Sequence, residues 1–209
     1  MEYEVRFYYS KEQISTLVSL LENCHDLKKH PRKYEKTIQF NHSDPNYDFY
    51  SKKVDGRFRF RVSSNELERK CKLSWKQRIP TTTATAVNKE IEKEVAITYE
   101  DADNFIYIVT KVMHFKLVES YERYRTIFEN KEIEISIDEY PFGVALEIEN
   151  KGKSKNPEET VMYWVNKLGL NINDTYRMSW DDKYSELCQQ QNVPIYNEVT
   201  FDKKMPIVK

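Results

Sequence analysis

Charged and apolar residues alternate along several stretches of the chain, and within each stretch the charges at every second position have one sign. In residues 57–62, for example, three arginines alternate with Phe58, Phe60 and Val62. Consecutive side chains of a β-strand point to opposite faces, so this spacing predicts strands with one charged and one apolar face. The basic stretches are residues 57–61, 70–78 and 123–125, and the acidic stretches are residues 90–94, 132–138 and 147–149.

Two arrangements accommodate such strands. An antiparallel sheet commonly buries one face and leaves the other in water, where charged side chains are stable. Like charges two residues apart repel one another, however, so stability alone favours mixing the signs on a solvated face. The apolar faces are large, and the helical stretches have apolar stripes that match them. These features permit an inverted arrangement, in which the sheet closes into a barrel, the helices pack outside and the charges line the bore.

A bore with walls of both signs predicts one class of ligand. Clustered arginine and lysine complement a run of phosphates, because a guanidinium can bind two phosphate oxygens at once. Clustered carboxylates hold Mg²⁺ or Mn²⁺, hard cations that prefer oxygen ligands and bridge to phosphate. Both kinds of cluster in one cavity therefore indicate a metal–polyphosphate complex.

The composition argues against several other classes of protein. The 33 Lys and Arg residues balance 34 Asp and Glu residues to a net charge of −1, unlike a generally basic nucleic-acid-binding protein. No apolar run approaches the roughly 20 residues of a membrane helix, and the acidic residues 1–4 do not resemble a signal peptide. The three cysteines are isolated, so they predict neither a zinc motif nor a disulfide framework. We expect one domain, residues 1–209, in the cytoplasm.

The periodicity of the sequence predicts a mostly antiparallel α+β fold of eight or nine strands and four helices. Strands are expected at residues 2–9, 34–40, 47–53, 57–63, 69–79, 87–97, 115–128, 132–138 and 144–149. Helices are expected after Ser10, where Gln13 completes a capping box, and at residues 99–113, 156–168 and 180–190.

The charged motifs follow one another in the order and spacing of a known family. Residues 2–6 match its Glu-x-Glu-x-Lys signature, with Arg6 in place of the lysine. The other similar motifs are a paired-arginine strand at residues 58–62, a lysine strand at 73–76, an acidic strand at 90–92, a basic strand at 123–125, the C-terminal strands at 137–143 and 146–149, and a closing element at 183–187. Nearly the whole chain thus resembles the CYTH family of triphosphate tunnel metalloenzymes, which includes thiamine triphosphatases, inorganic tripolyphosphatases and class IV adenylate cyclases.

This resemblance implies a closed eight-stranded antiparallel β-barrel, a tunnel open at both ends with a charged interior and outer helices. The residues that it implies for triphosphate binding are Arg6, Arg59, Arg61, Lys76, Arg123 and Arg125. It places one divalent cation, Mg²⁺ or Mn²⁺, on Asp138, Glu147 and Glu149. Glu2 and Glu4 would hold a second cation or the metal-bound water, and Glu4, Lys76 and Lys183 would be catalytic. Glu90 and Glu92 are further candidates for the acidic wall, although a solvated strand edge is the favoured interpretation for Glu90, Glu94, Lys70 and Glu132.

The expected chemistry is attack at a phosphorus atom. The first hypothesis is metal-dependent hydrolysis of inorganic tripolyphosphate, thiamine triphosphate or a nucleoside triphosphate. A class IV adenylate cyclase, an RNA 5′-triphosphatase and a non-catalytic polyphosphate- or nucleotide-binding module are the alternatives. The expected partner is a small-molecule triphosphate, with no membrane and no nucleic acid other than a 5′-triphosphate end. The chain is expected to be a monomer or a homodimer.

Overall fold

The computed structural model describes residues 2–51, 54–80, 87–151 and 156–209. Its strands are β1 (Glu2–Tyr9), β2 (Lys28–Lys29), β3 (Lys33–His42), β4 (Gly56–Ser64), β5 (Arg69–Arg78), β6 (Asn88–Ile97), β7 (Phe115–Glu129), β8 (Ile133–Tyr140), β9 (Gly143–Asn150) and β10 (Glu198–Val199). Its α-helices are α1 (Ile14–Glu22), α2 (Ala102–Tyr107), α3 (Pro157–Lys167) and α4 (Trp180–Gln191).

Eight of the strands close into an antiparallel barrel. Their order around the barrel is β7-β3-β4-β5-β6-β1-β9-β8, and pairing of β8 with β7 completes the circle. The short strands β2 and β10 only extend this sheet, since each pairs with β7. The predicted α+β fold with a closed eight-stranded barrel is therefore confirmed.

The barrel carries its apolar core on the outside. Val5 and Phe7 of β1 are almost fully buried and pack in one cluster with α1 and α3, together with the three isoleucines of β8. Helix α2 covers a second cluster over β3, β4 and β5, and α4 covers a third around Phe142. Burying each large apolar side chain stabilises the fold by roughly 1.5–3 kcal/mol. The alternate residues of the same strands, such as Glu4 of β1, turn towards the bore.

Most predicted elements lie within a few residues of their observed bounds. Ser10 and Gln13 form the predicted capping box, ahead of a 3₁₀ turn that leads into α1. The helix predicted at residues 99–113 consists of α2 and a π-helical turn at Ile108–Val112. No helix among residues 2–51, 54–80, 87–151 and 156–209 has the length and apolar character needed to cross a membrane.

The strand predicted at residues 47–53 is wrong. The chain there forms a 3₁₀ turn at Pro45–Tyr47, capped by the side chain of Asp44, and then an irregular segment. The amides of Phe49 and Tyr50 donate to the side-chain oxygen of Asn41 instead of to a neighbouring strand. Residues 52 and 53, the end of the predicted strand, lie outside the described residues.

Candidate active site in the barrel

The bore of the barrel encloses a cavity of about 200 Å³ with an almost entirely charged lining. Its basic residues are Arg6, Arg57, Arg59, Arg61, Lys72, Lys76, Arg78, Arg123 and Arg125. Its acidic residues are Glu2, Glu4, Glu90, Glu92, Glu94, Glu134, Glu147 and Glu149. Each strand of the barrel except β3 contributes at least one of these side chains, because every second residue of a strand points inward.

All but two of the residues predicted for the site lie in this lining. The two exceptions are Asp138 and Lys183, which are described below. The interpretation of Glu90 as a solvated strand edge is wrong, because Glu90 lines the cavity and is only 3% exposed, whereas Glu94 is exposed at the edge of the lining. The register explains this placement, since Glu90 lies opposite Glu2 of β1 and therefore shares its inward face.

Three carboxylates from three strands converge on the acidic side of the cavity. Glu2 of β1, Glu92 of β6 and Glu149 of β9 each offer an oxygen, and these oxygens lie within 4.8 Å of one another. Burial and a hydrogen bond with Glu92 raise the pKa of Glu2 to about 9. Burial, opposed by Lys76 and helped by Glu4, raises the pKa of Glu149 to about 7. A divalent cation would stabilise three carboxylates that lie so close together. Glu92 was not among the predicted metal ligands, although its acidic strand was recognised.

Lys76 lies at the centre of the acidic groups. Its Nζ is 2.9 Å from an oxygen of Glu4, 2.8 Å from one of Glu90 and 3.3 Å from one of Glu2. Burial alone would lower the pKa of Lys76, but the carboxylates around it raise that pKa above its ordinary value. The surrounding carboxylates therefore favour the charged form of Lys76.

The arginines on the opposite side are held from behind by buried carboxylates. Asp138 is fully buried and accepts hydrogen bonds from Arg123 Nη1 at 2.7 Å and from Arg125 Nε at 2.5 Å. Glu35 of β3 accepts a further bond from Arg123 Nε at 2.8 Å. These contacts fix the arginines in position. Burial alone would raise the pKa of Glu35, but the positive charges of Arg123, Arg61 and Arg125 hold that pKa well below its ordinary value.

Glu35 was missed by the sequence analysis. The alternation of Glu35, Thr37 and Gln39 with Tyr34, Ile38 and Phe40 marks an inward polar face, so a signal was present. Lys36 places a charge on the outer face as well, which weakens that signal.

Comparison with solved structures identifies the architecture. The PH1819 protein from Pyrococcus horikoshii matches with a TM-score of 0.67 and 23% identity, over 91% of this chain and 99% of that one. HpAC1 from Hippeastrum, described as a candidate adenylyl cyclase with a dominant triphosphatase activity, matches with a TM-score of 0.59 and 16% identity, over 93% and 98%. A candidate adenylate cyclase from Vibrio parahaemolyticus matches with a TM-score of 0.62 and 14% identity, over 88% and 98%.

The chain has the closed antiparallel barrel fold of these solved structures. The resemblance predicted from the motifs is thus confirmed for the fold. Sequence identities below 25% support the fold alone. No protein-family model and no curated protein matches the chain.

One end of the barrel is covered, where the resemblance implied an opening. The segment before α4 crosses that end: Arg6 donates to the carbonyl of Met178 at 3.2 Å, and Asn88 donates to that of Arg177 at 3.1 Å. Ser179 and Trp180 then line the cavity. The Trp180 ring lies against Tyr121, with a centroid distance of 4.3 Å.

Lys183 lies outside the lining of the cavity. Its Nζ lies 5.6 Å from the ring centroid of Tyr8 and 5.0 Å from that of Tyr176. Both distances are typical of a cation–π contact, which holds the side chain against the outer side of the covered end.

Proposed function

We propose that this chain is a divalent-metal-dependent phosphohydrolase that acts on a triphosphate. The observation that carries the proposal is the cavity itself, in which a wall of arginines faces a cluster of carboxylates inside one closed barrel. Neither cluster is needed for the packing of the fold, because the apolar core lies outside the barrel. The triphosphatase activity described for HpAC1 supports the same class of reaction.

The arginines are suited to bind phosphate oxygens. Arg59 and Arg61 of β4 face Arg123 and Arg125 of β7 across β3. Among the described residues, Arg59 Nε is buried without a hydrogen-bond partner, which costs about 1–3 kcal/mol for such a group. A phosphate oxygen would satisfy this donor, and charge-assisted bonds of this kind are stronger than neutral ones.

The carboxylates fit a hard divalent cation. Glu2, Glu92 and Glu149 would hold it, and Glu2 Oε2 is a buried carboxylate oxygen that lies 3.3 Å from Lys76 Nζ. Mg²⁺ or Mn²⁺ bound there would neutralise phosphate charge and lower the pKa of a bound water. We assign Asp138 to holding Arg123 and Arg125 in place instead of to the metal, because both of its oxygens already accept from these arginines.

Water is the nucleophile in this proposal. Among the described residues, no cysteine or histidine lines the cavity, so no side chain there forms a nucleophile–base pair for covalent catalysis. Glu4, placed 2.9 Å from Lys76 and within the carboxylate cluster, would orient the water through its free lone pairs. The arginines and Lys76 would stabilise the charge of the phosphoryl group in transfer, so that catalysis rests on positioning and neutralisation.

The substrate range is tested with the purified full chain and a panel of triphosphates. Tripolyphosphate, thiamine triphosphate, ATP and triphosphate-ended RNA are incubated with Mg²⁺ or Mn²⁺, and phosphate, pyrophosphate and cAMP are measured. We expect metal-dependent phosphate release that EDTA abolishes and that Glu149→Gln removes. A matched change at the exposed Glu132, Glu132→Gln, leaves it intact.

Each other product pattern identifies an alternative. Formation of cAMP and pyrophosphate from ATP identifies a cyclase, as the description of the Vibrio parahaemolyticus protein favours. Release of γ-phosphate from RNA ends alone identifies an RNA triphosphatase. Binding of the panel without any product identifies a binding module and refutes the hydrolase. The rings of Tyr121, Tyr140 and Trp180 are packed against one another and are at most 5% exposed, so these lining aromatics offer little surface to adenine, which favours hydrolysis over cyclisation.

A further inference from the structure

Tyr121 is a titratable residue of the bore that the proposed hydrolysis leaves without a role. It lies on β7, two residues before Arg123, and its side chain lines the cavity although it is only 1% exposed. Its ring packs against Trp180 at a centroid distance of 4.3 Å and against Tyr140 at 5.9 Å. These contacts hold the ring in place, so the hydroxyl group at its end has a defined position.

The register of the sheet aligns Tyr121 with two residues of the neighbouring strands. Thr37 of β3 lies directly opposite Tyr121 of β7 on one side and directly opposite Arg61 of β4 on the other. Arg61 donates from Nη2 to the Tyr121 hydroxyl at 3.3 Å and from Nε to Thr37 Oγ1 at 3.0 Å. The Thr37 side chain also hydrogen-bonds this hydroxyl. A phosphate oxygen that binds the same guanidinium of Arg61 would therefore lie within reach of the Tyr121 hydroxyl.

The charges around this hydroxyl favour the loss of its proton. Burial alone would raise the pKa of Tyr121, but Arg61, Arg123 and Arg59 lower that pKa from 10.0 to about 7. Among the described residues, no carboxylate hydrogen-bonds the hydroxyl, and Glu35, two residues before Thr37 on β3, already accepts from Arg123. The phenolate form is thus stabilised by fixed positive charges on two strands.

The neighbouring tyrosine has the opposite environment. The Tyr140 hydroxyl accepts from Arg123 Nη1 at 3.3 Å, but Asp138 and Glu147 are also its charged neighbours. Burial and these two carboxylates outweigh Arg123 and raise the pKa of Tyr140 above its ordinary value. The acidity of Tyr121 therefore comes from its place in the arginine wall, and not from burial in the barrel as such.

We propose that Tyr121 is a catalytic residue that donates its proton to the leaving phosphate oxygen during hydrolysis. The proposal rests on the proposed function, because it needs a triphosphate on the arginine wall. Water forms the new bond to phosphorus, the bridging P–O bond breaks, and its electron pair goes to the leaving oxygen, which takes the phenol proton. The attacking water releases one proton, and the phenolate takes one from solvent before the next turnover. The arginines stabilise the phenolate in the interval.

The acidity of Tyr121 is tested without turnover, by ultraviolet difference titration of the full chain in EDTA. A phenolate absorbs at longer wavelength than a phenol, so each tyrosine is counted as it ionises. We expect one tyrosine to ionise at about pH 7 and Tyr121→Phe to remove this step. Inorganic tripolyphosphate should move the step to higher pH, because a neighbouring anion disfavours the phenolate. Absence of this ionisation from the wild type overturns the proposal.

The catalytic role is tested by the pH profile of tripolyphosphate hydrolysis. Tyr121→Phe keeps the ring contacts and should lower kcat about a hundredfold with little change in KM, as loss of a general acid does. It should also remove the fall in kcat/KM on the alkaline side, since a general acid must be protonated to act. Thr37→Val removes one hydrogen bond to the hydroxyl and should move that fall to higher pH, with a smaller loss of kcat.

Tyr8→Phe is the matched control. The Tyr8 hydroxyl is also buried and has no hydrogen-bond partner among the described residues, but Tyr8 lies outside the lining of the cavity. We expect this variant to retain the kcat and the pH profile of the wild type. If Tyr121→Phe retains both as well, the proposal is overturned and the hydrolase stands. If the wild type releases no phosphate, the proposed function and this role of Tyr121 are refuted together.

Discussion

Asp138 and Arg125 form a doubly hydrogen-bonded ion pair inside the barrel wall. Arg125 Nε and Nη2 donate to the two oxygens of Asp138, and the first of these bonds is 2.5 Å long. Arg125 Nη2 also lies 2.7 Å from Glu147, so the pair connects the buried carboxylate to the surface of the cavity. The geometry of the proposed phosphate-binding wall is therefore fixed before any ligand enters.

Replacing Asp138 with asparagine should destabilise the protein strongly. The change removes the partner of two buried guanidiniums, and breaking a buried ion pair in this way costs about 3–5 kcal/mol. Urea unfolding measures the loss. The control is Glu139→Gln, which breaks a pair with the half-exposed Arg32 and should cost at most about 1 kcal/mol. Similar losses in the two variants would contradict the structural role of Asp138.

Glu149→Gln should abolish metal-dependent phosphate release and leave the fold intact. The change removes one of three crowded carboxylates, which also relieves their repulsion in the metal-free protein. We therefore expect an unchanged or higher thermal midpoint in EDTA, and a smaller rise of that midpoint on addition of Mg²⁺ than in the wild type. Calorimetry with and without Mg²⁺ measures both quantities. An equal Mg²⁺ effect in variant and wild type would remove Glu149 from the metal site.

Arg59→Ala should weaken triphosphate binding. Loss of one buried, hydrogen-bonded charge from a binding interface costs about 2–5 kcal/mol, mainly as a higher KM for tripolyphosphate. Arg32→Ala on the outer surface is the comparison, because Arg32 pairs with Glu139 away from the cavity. The assignment of Arg59 fails if both variants have the KM of the wild type.

Glu119 should make the stability of the protein depend on pH. Burial, followed by repulsion from Asp181, raises its pKa from 4.5 to about 8. The folded state therefore binds a proton more tightly than the unfolded state, so this contribution to stability is complete below pH 4.5 and is lost as the pH rises to about 8. The expected slope is at most about 1.4 kcal/mol per pH unit.

Glu119→Gln tests this dependence by urea unfolding between pH 5 and pH 8, a window set by the two pKa values of Glu119. The variant should unfold with a smaller pH slope and be more stable than the wild type at the upper end. Its amide oxygen can still accept from Tyr50, whose hydroxyl bonds Glu119 at 3.1 Å. Parallel curves for the two proteins would show that another group titrates.

The inward charged face of the barrel could be predicted because it depends only on the order of residues within each strand. Alternation assigns each side chain to one of two faces, and the sorting of signs by strand favours an enclosed site over a solvated one. Arg59, Lys76 and Glu149 accordingly line the cavity. Alternation is compatible with a closed barrel but does not require one. The closure was predicted from the resemblance of the motifs.

The remaining features depend on contacts between distant residues. Asp138 has the sequence context of a metal ligand, and only the pairing of β7 with β8 places it opposite Arg125. The cover over one end arises from the irregular residues 176–179, which have no periodicity to recognise. Residues 47–53 alternate like a strand, but Asn41 takes the hydrogen bonds of their amides.

The outer position of the apolar core has an evolutionary consequence. Helices α1 and α3 hold the wall through residues such as Val5 and Trp164, neither of which lines the bore. Mutations can therefore exchange catalytic or specificity groups without weakening the scaffold, as long as charges remain paired. Proteins with this architecture can therefore change their substrate while the backbone fold is retained. Structures at 14% identity still superimpose along most of their length.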